Sequence, residues 1–320
     1  MPEGPPMREY LLKRLVLMVP TLFLVTVIVF LMMRLIPGDV VLQMLEGYAY
    51  ADTVEALRQE LGLDRPMHLQ YLEWIGGLLR GDLGHSLWTK ESILVEFARR
   101  FPVTLELALL TIVVSVALGV GVGVLSAVRQ ESWLDYGGRV VAIMALAMPY
   151  FWLAILVVVL PAIYFRWTPL WTYVPLTVDP VENLKIMIFP ALVFGVSRAG
   201  PVMRVMRSSM LEVQRQDYIR TAWAKGLPER RVVFKHAIKN ALIPVVSILG
   251  LQIHFYLGGS VIIESIFRLP GMGHFFFEAL IRRDYPVVQS INLIVATFAL
   301  VLNLIVDFSY AYLDPRIRYR

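Results

Sequence analysis

Residues 211–244 read LEVQRQDYIRTAWAKGLPERRVVFKHAIKNALIP, the one long, basic, helix-patterned stretch caught between two apolar runs. Such a stretch must sit in water beside a membrane while tethered to it at both ends. A first helix is expected to run to about Ala224, where Gly226 supplies a left-handed cap. Pro228 then fits the first turn of a second helix, and Glu229 lies at that helix's positive dipole end. Two short helices meeting at a corner result. On the second, Val233 with Ala237 and Phe234 with Ile238 pair at four-residue spacing, while Arg230, Arg231, Lys235 and Lys239 crowd the other faces. An apolar ridge in a basic surround suits docking into a partner's groove. It suits equally an amphipathic helix lying on anionic headgroups.

The flanks of this stretch place it. The chain has 320 residues, 58% apolar and 17% charged, with mean hydropathy +0.65, too apolar for a water-soluble globule. Six runs are long enough to cross a bilayer, roughly residues 11–34, 103–128, 139–165, 186–207, 241–266 and 287–311. The first follows Lys13 and Arg14, lasts about twenty residues and shows no small-residue cleavage site, so it reads as a retained span. If the N-terminus is cytoplasmic, the inside segments hold 18 of the 30 basic residues in 78 positions and the outside segments 12 in 110. N-in, C-in topology follows, and the basic stretch is cytoplasmic.

The connection at 37–101 is then external, with ten acidic against six basic residues. Helical spacing at 53–61 and 67–79, punctuated by Gly62, Pro66, Gly76 and Gly77, makes it a helical cap over the outer ends of the spans. The chain divides accordingly into a tail and first span at 1–36, the external insertion at 37–101, a six-span core completed by 102–310 with the cytoplasmic segment 211–240, and a cytoplasmic tail at 311–320. Gly119, Gly121 and Gly123 in the second span allow close helix contact. Pro149 and Pro161 imply kinks in the third. In the fourth, Arg204 and Arg207 are expected to snorkel to the headgroups, whereas Arg198, about twelve residues from the outer boundary, should face protein or a wet cavity. In the fifth, Gln252, Tyr256 and Ser260 recur every four residues. Such a stripe lines a water-filled path or bonds to another helix. Asp307 in the sixth is expected to anchor to a basic neighbour.

Catalysis has no visible basis. The sequence lacks a GxxxxGK[ST] loop, an HExxH helix and a GxSxG elbow, and GVSRAG at Gly195 fails the elbow spacing. Five scattered histidines and no cysteine leave no metal-ligand spacing. No basic patch interleaved with aromatics suggests nucleic acid.

A six-span chain with one large cytoplasmic loop before the fifth span and no nucleotide site resembles the permease subunit of an ABC importer. The loop carries the resemblance. Permeases of this kind have a motif of glutamate, two alanines, three residues and a glycine; here Gly226 matches the glycine and Arg220, Thr221 and Ala222 fill the leading places, so only Ala222 agrees with the general form. That departure, DYIRTAWAKGL followed by RRVVFKHAIKNALIP, is similar to the peptide and nickel branch. IPGDVV, LGLDRPMHLQYLEWIGGLLRGDLGHSL, FPVTLELALL, GGSVIIESIFRLPGMG and RRDYPVVQ agree with that branch over nearly the whole chain, and the long external insertion resembles the B-type dipeptide and oligopeptide permeases.

The resemblance implies an all-α integral membrane protein of type I ABC importer-like fold in the cytoplasmic membrane of a prokaryote, importing di- or oligopeptides. Nickel chelates and oligosaccharides are alternatives within the family. It implies no cofactor on this chain, with ATP and Mg on two partner ABC ATPase subunits. A second, C-type permease, an extracytoplasmic solute-binding protein and membrane lipid complete the partners. Coupling to the ATPases would fall to Asp217, Arg220, Thr221, Ala222, Lys225, Gly226, Leu227 and Pro228, and the path to Arg198, Gln252, Tyr256 and Ser260. Two other classes compete. An ion-driven secondary transporter would use Glu106, Glu264 or Asp307 as a relay, and a membrane-embedded enzyme or redox subunit would need the ligand pairs and nucleophiles that the sequence lacks.

Overall fold

Long apolar runs must satisfy their backbone groups internally where water is absent, and this chain does so with helices. The computed structural model describes residues 7–35, 38–45, 51–169, 172–258 and 260–313. Helices α1 (Met7–Leu35), α2 (Val40–Met44), α3 (Ala51–Glu60), α4 (Met67–Leu79) and α5 (Ile93–Val128) are followed by α6 (Trp133–Ala147), α7 (Tyr150–Phe165) and α8 (Pro180–Gln214). After a break come α9 (Asp217–Ala224) and α10 (Glu229–Arg231), which passes through a π-helical turn at Val232–Ala237 into α11 (Ile238–Gly258); α12 (Ser260–Phe267), α13 (Met272–Ile281) and α14 (Tyr285–Leu313) complete the order.

Among the described residues five helices are long and apolar enough to cross a bilayer, and α6 with α7 makes a sixth span as a pair bent by 95°. The bend falls at Met148 and Pro149, the first of the two expected kink positions; Pro161 lies inside α7. The two helices expected in the insertion appear as α3 and α4, with Gly76 and Gly77 inside α4.

The chain forms two units, residues 1–102 with 271–320 and residues 103–270. In the first, α14 packs on α1 and α13, around a core that includes Met33, Ile93, Met272, Phe275, Val287 and Ile291. Asp284, buried at the turn into α14, accepts from Ser86 Oγ at 2.5 Å and from the Leu87 N–H at 3.1 Å, tying residues 86–88 to that turn.

In the second unit α8 is the central post, packed by α6, α7 and α11. Glycines let helices approach it closely. A methyl group at Gly119 would lie 2.6 Å from Val202 Cβ, and one at Gly123 2.8 Å from Met206 Cβ and 2.9 Å from the Met203 carbonyl oxygen. Gly121, on the other side of α5, faces open space. The small-residue row is thus a helix-packing device.

Arg207 is placed otherwise than the sequence suggested. It points into the unit, not out to headgroups, because Asp135 on α6 receives it: Nε and Nη2 donate to the two carboxylate oxygens, each at 2.8 Å. Ser126 Oγ and the Glu131 N–H also donate to the carboxylate, at 2.5 and 3.1 Å, and Arg139 Nε lies 3.5 Å from it. Asp135 is 0% exposed and Arg207 23%, so desolvation and the lone carboxylate, not the nearest water, decide the rotamer.

Candidate functional site

The elbow forms as local chemistry dictates. At the end of α9 the Gly226 N–H donates to Trp223 O at 2.9 Å and the Leu227 N–H to Ala222 O at 3.4 Å, the paired bonds of a Schellman cap, with Gly226 at φ +71°. Pro228, extended at φ −64° and ψ 146°, opens α10 and accepts from the Arg231 and Val232 N–H groups. From Glu229 the helix runs on through the π turn into α11, with Pro244 inside it. Tyr218 on α9 is held to α11 by a hydrogen bond of 2.7 Å that the Asn240 Nδ2 donates to its hydroxyl.

The direction of the elbow's apolar face differs from the expected one. Val233 and Ala237 are buried with Val232, Ile219 and Ala222 against Val202, Met206 and Met210, so this pair is the elbow's anchor in its own unit. Phe234 is 67% exposed, with Tyr218 and Trp223 also outward. Of the eight coupling candidates, Asp217, Arg220, Thr221, Lys225, Gly226 and Pro228 are exposed, Leu227 is half-buried and Ala222 is buried. The outward surface is therefore cationic with three aromatic side chains upon it. Its inward surface is a rigid attachment to α8 and α11.

The stripe of the fifth span lies inside the second unit. Tyr256, 1% exposed, bonds through its hydroxyl to Ser115 Oγ on α5 at 3.1 Å and meets the Phe194 ring edge-on at 6.3 Å between centroids. Gln252 is 8% exposed, and neither end of its amide has a hydrogen-bond partner among the described residues. Ser260 is buried, and Glu264 accepts from Thr104 Oγ1 at 2.8 Å. Arg198 lies beside the rings of Tyr150, Phe194 and Phe255, its guanidinium carbon 5.2 to 5.7 Å from the centroids.

The opposing wall escaped the sequence reading. Thr104, Thr111 and Ser115 are all buried on α5, at spacings of seven and four that put them on one helical face, and that spacing within an apolar span was the available signal. Buried polar groups in such a span ordinarily find partners, so the free amide of Gln252 and the Thr111 hydroxyl, also without a partner, mark where this column has capacity to spare. Of the relay candidates, Glu106 accepts from the Tyr173 hydroxyl at 3.0 Å. Burial and that carboxylate push the Tyr173 phenol above its ordinary range, keeping it a donor. Glu264 is engaged as above, and the Asp307 side chain lies outside the described residues. No group of three His, Cys, Asp or Glu side chains among the described residues is placed to hold a metal ion.

Comparison with known proteins fits this architecture. Residues 119–319 match the family described as binding-protein-dependent transport system inner membrane component, and residues 7–108 its N-terminal companion. The chain is 40% identical over 337 residues to the di/tripeptide transport system permease protein DppB of Pseudomonas aeruginosa, covering 98% of this chain and 100% of that one. It is 39% identical over 338 residues to the dipeptide transport system permease protein DppB of Escherichia coli K12, with the same coverage. Among solved structures, an amino acid ABC transporter crystallised with histidines superposes with a TM-score of 0.50 at 14% identity, over 70% of this chain and 95% of that one, which speaks for the fold alone. Two family matches that together span nearly all of the sequence, and full-length relatives near 40% identity, leave one assignment: this chain belongs to the inner membrane components of binding-protein-dependent transport systems.

Proposed function

We propose that the chain is the B-type permease subunit of an ATP-driven importer of di- or oligopeptides in a prokaryotic cytoplasmic membrane, N-in and C-in. It works with a C-type permease, two ABC ATPase subunits that bind ATP and Mg, and an extracytoplasmic solute-binding protein. The observation that carries the reading is the elbow. It presents Asp217, Arg220, Thr221, Lys225, Gly226 and Pro228 outward on a corner whose other side is buried in its own core, and whose helix continues into the span bearing Gln252 and Tyr256. ATP binding closes the ATPase dimer, whose groove carries residues 217–239, and the rigid attachment transmits that displacement to α11. Two arrangements of the permease pair are thereby stabilised differently, which is what alternating access requires.

The peptide reading draws support from the two relatives and from the polar column. The unengaged amide of Gln252 offers the same donor and acceptor as a peptide bond. Arg198 supplies a cation for a carboxylate terminus, and Tyr256 near the end of α11 and Ser260 at the start of α12 are both buried.

Charge reversal at Arg220 together with Gly226→Trp is expected to abolish uptake and substrate-stimulated ATPase activity while leaving membrane insertion intact; transport that survives the double change refutes the coupling assignment. For the path, single cysteines at Arg198, Gln252, Tyr256 and Ser260 in this cysteine-free chain are expected to react with a water-soluble maleimide in one nucleotide state only. No reaction in any state refutes it.

A further inference from the structure

At the elbow end of the second unit, α5, α6 and α8 line a partly open cavity of about 500 Å³ that neither the coupling surface nor the polar column uses. Its wall includes Ile143, Leu146 and Met203, and its polar groups include Arg139, Arg204 and Arg207. The charges do not balance. Arg207 is committed to Asp135 through two 2.8 Å bonds. Arg139 lies 3.5 Å from the same carboxylate and beside the Tyr136 ring. Arg204 is exposed and has no ion-pair partner among the described residues. Asp135, shared by Arg207 and Arg139, is the one carboxylate paired with these arginines, so the cavity's lining carries more positive than negative charge. Ile143 and Leu146 are also part of the exposed apolar surface of α6, so the slot's wall is continuous with an exposed apolar face.

A volume of this size suits one small ligand or part of a larger one, and a basic pocket between membrane helices suits an acidic lipid headgroup. We propose that this cavity is a binding site for one anionic phospholipid, its phosphate on Arg139 and Arg204 and an acyl chain along Ile143, Leu146 and Met203. A neutral amphiphile would leave Arg204 without a counter-charge and Arg139 with only a share of Asp135. A soluble phosphate would leave the apolar wall wet. Only a molecule with both an acidic head and an apolar tail satisfies the two halves of the cavity at once. The Arg207–Asp135 pair links α8 to α6 beside the slot. The site lies where the cytoplasmic leaflet would meet the protein in the orientation proposed above, although binding itself does not depend on that orientation.

The test uses the assembled transporter in detergent, titrated separately with phosphatidylglycerol and phosphatidylcholine and read by native mass spectrometry. Wild type is expected to bind phosphatidylglycerol in preference to phosphatidylcholine. Arg139→Ala with Arg204→Ala is expected to weaken phosphatidylglycerol binding about thirty-fold, roughly five-fold for each arginine, and Arg139→Lys with Arg204→Lys to restore most of it. Ala142→Phe, which fills the slot and leaves every arginine in place, is expected to lower binding by at least as much. A charge-matched loss in the other unit, Arg80→Ala with Lys90→Ala, both exposed, is expected to leave it unchanged. Equal binding of the two lipids, undiminished binding in the Ala142→Phe protein, an equal loss in the Arg80 and Lys90 control, or a cross-link showing another protein chain seated over the cavity would each overturn the proposal. None of these outcomes depends on whether the elbow couples to an ATPase.

Discussion

The Asp135–Arg207 pair allows an asymmetric prediction. Replacing Arg207 by Met strands a carboxylate that is 0% exposed, whereas replacing Asp135 by Leu strands a guanidinium that is 23% exposed and can reach water or headgroups. Breaking a buried pair from one side costs about 3–5 kcal/mol. The Arg207→Met cost belongs at the lower end of that range, about 3 kcal/mol, because Ser126 Oγ and the Glu131 N–H still donate to the carboxylate and Arg139 remains 3.5 Å away. The Asp135→Leu cost is expected to be about 1–2 kcal/mol, since the abandoned cation keeps solvent access. The double variant should lose less than the sum of the two, with a coupling energy above about 1 kcal/mol. Reversible unfolding of the purified chain in mixed micelles, extrapolated linearly in denaturing detergent, measures all three. If Asp135→Leu is the costlier single change, or if the two costs add, the pair is not the buried, mutually compensating contact described above.

Other expectations follow from single positions. Gly119→Leu should destabilise the second unit by about 1–3 kcal/mol in the same assay, because its first side-chain atom already meets Val202 at 2.6 Å; Gly121→Leu, which faces open space, should change little. Gly226→Ala, at φ +71° with nothing within 4 Å of the added methyl, should cost about 1–2 kcal/mol from backbone strain alone. That cost should appear as faster amide exchange in residues 222–228, with Gly226→Asn milder because asparagine tolerates the left-handed region. Burial raises the Asp284 pKa above its ordinary value of 3.8 despite the bonds from Ser86 and Leu87. Its contribution to stability is therefore fully present below about pH 3.8 and is lost as pH rises through the higher folded value. Protection factors at the Leu87 and Trp88 amides, taken relative to intrinsic exchange at each pH, should fall across that window in wild type, and that fall should be absent in Asp284→Asn.

What could be read from the sequence was what neighbours along the chain decide. The apolar runs fixed where spans fall, because a bilayer demands length and apolarity and little else. Gly226 and Pro228 fixed the corner, because a left-handed residue and a missing N–H act within one turn. The glycine row revealed a contact face, since a missing side chain admits another backbone whichever helix supplies it. Arg207 was misplaced because its partner stands 72 residues earlier and looks, in sequence, like an ordinary acid in a first helical turn. The stripe Gln252, Tyr256, Ser260 was visible, but its opposing wall of Thr104, Thr111 and Ser115 was not read, since each hydroxyl alone is unremarkable in a membrane helix.

The elbow's apolar ridge shows why orientation is the harder inference. Val233 with Ala237 and Phe234 with Ile238 satisfy the same four-residue spacing, so periodicity cannot choose which pair faces home. The π turn at Val232–Ala237 makes the problem worse by widening the helix at those positions and shifting the register that a 3.6-residue pattern assumes. Burying Val232, Val233 and Ala237 leaves Phe234 outside among arginines and lysines. An aromatic side chain so placed suits the groove of a partner, the reading proposed for coupling. Phe234→Ala should therefore leave the chain's own unfolding unchanged within about 0.5 kcal/mol while weakening capture of the ATPase subunits. Were it instead to destabilise the chain and spare the capture, the outward aromatic would belong to the fold, and the surface proposed for coupling would lose its centre.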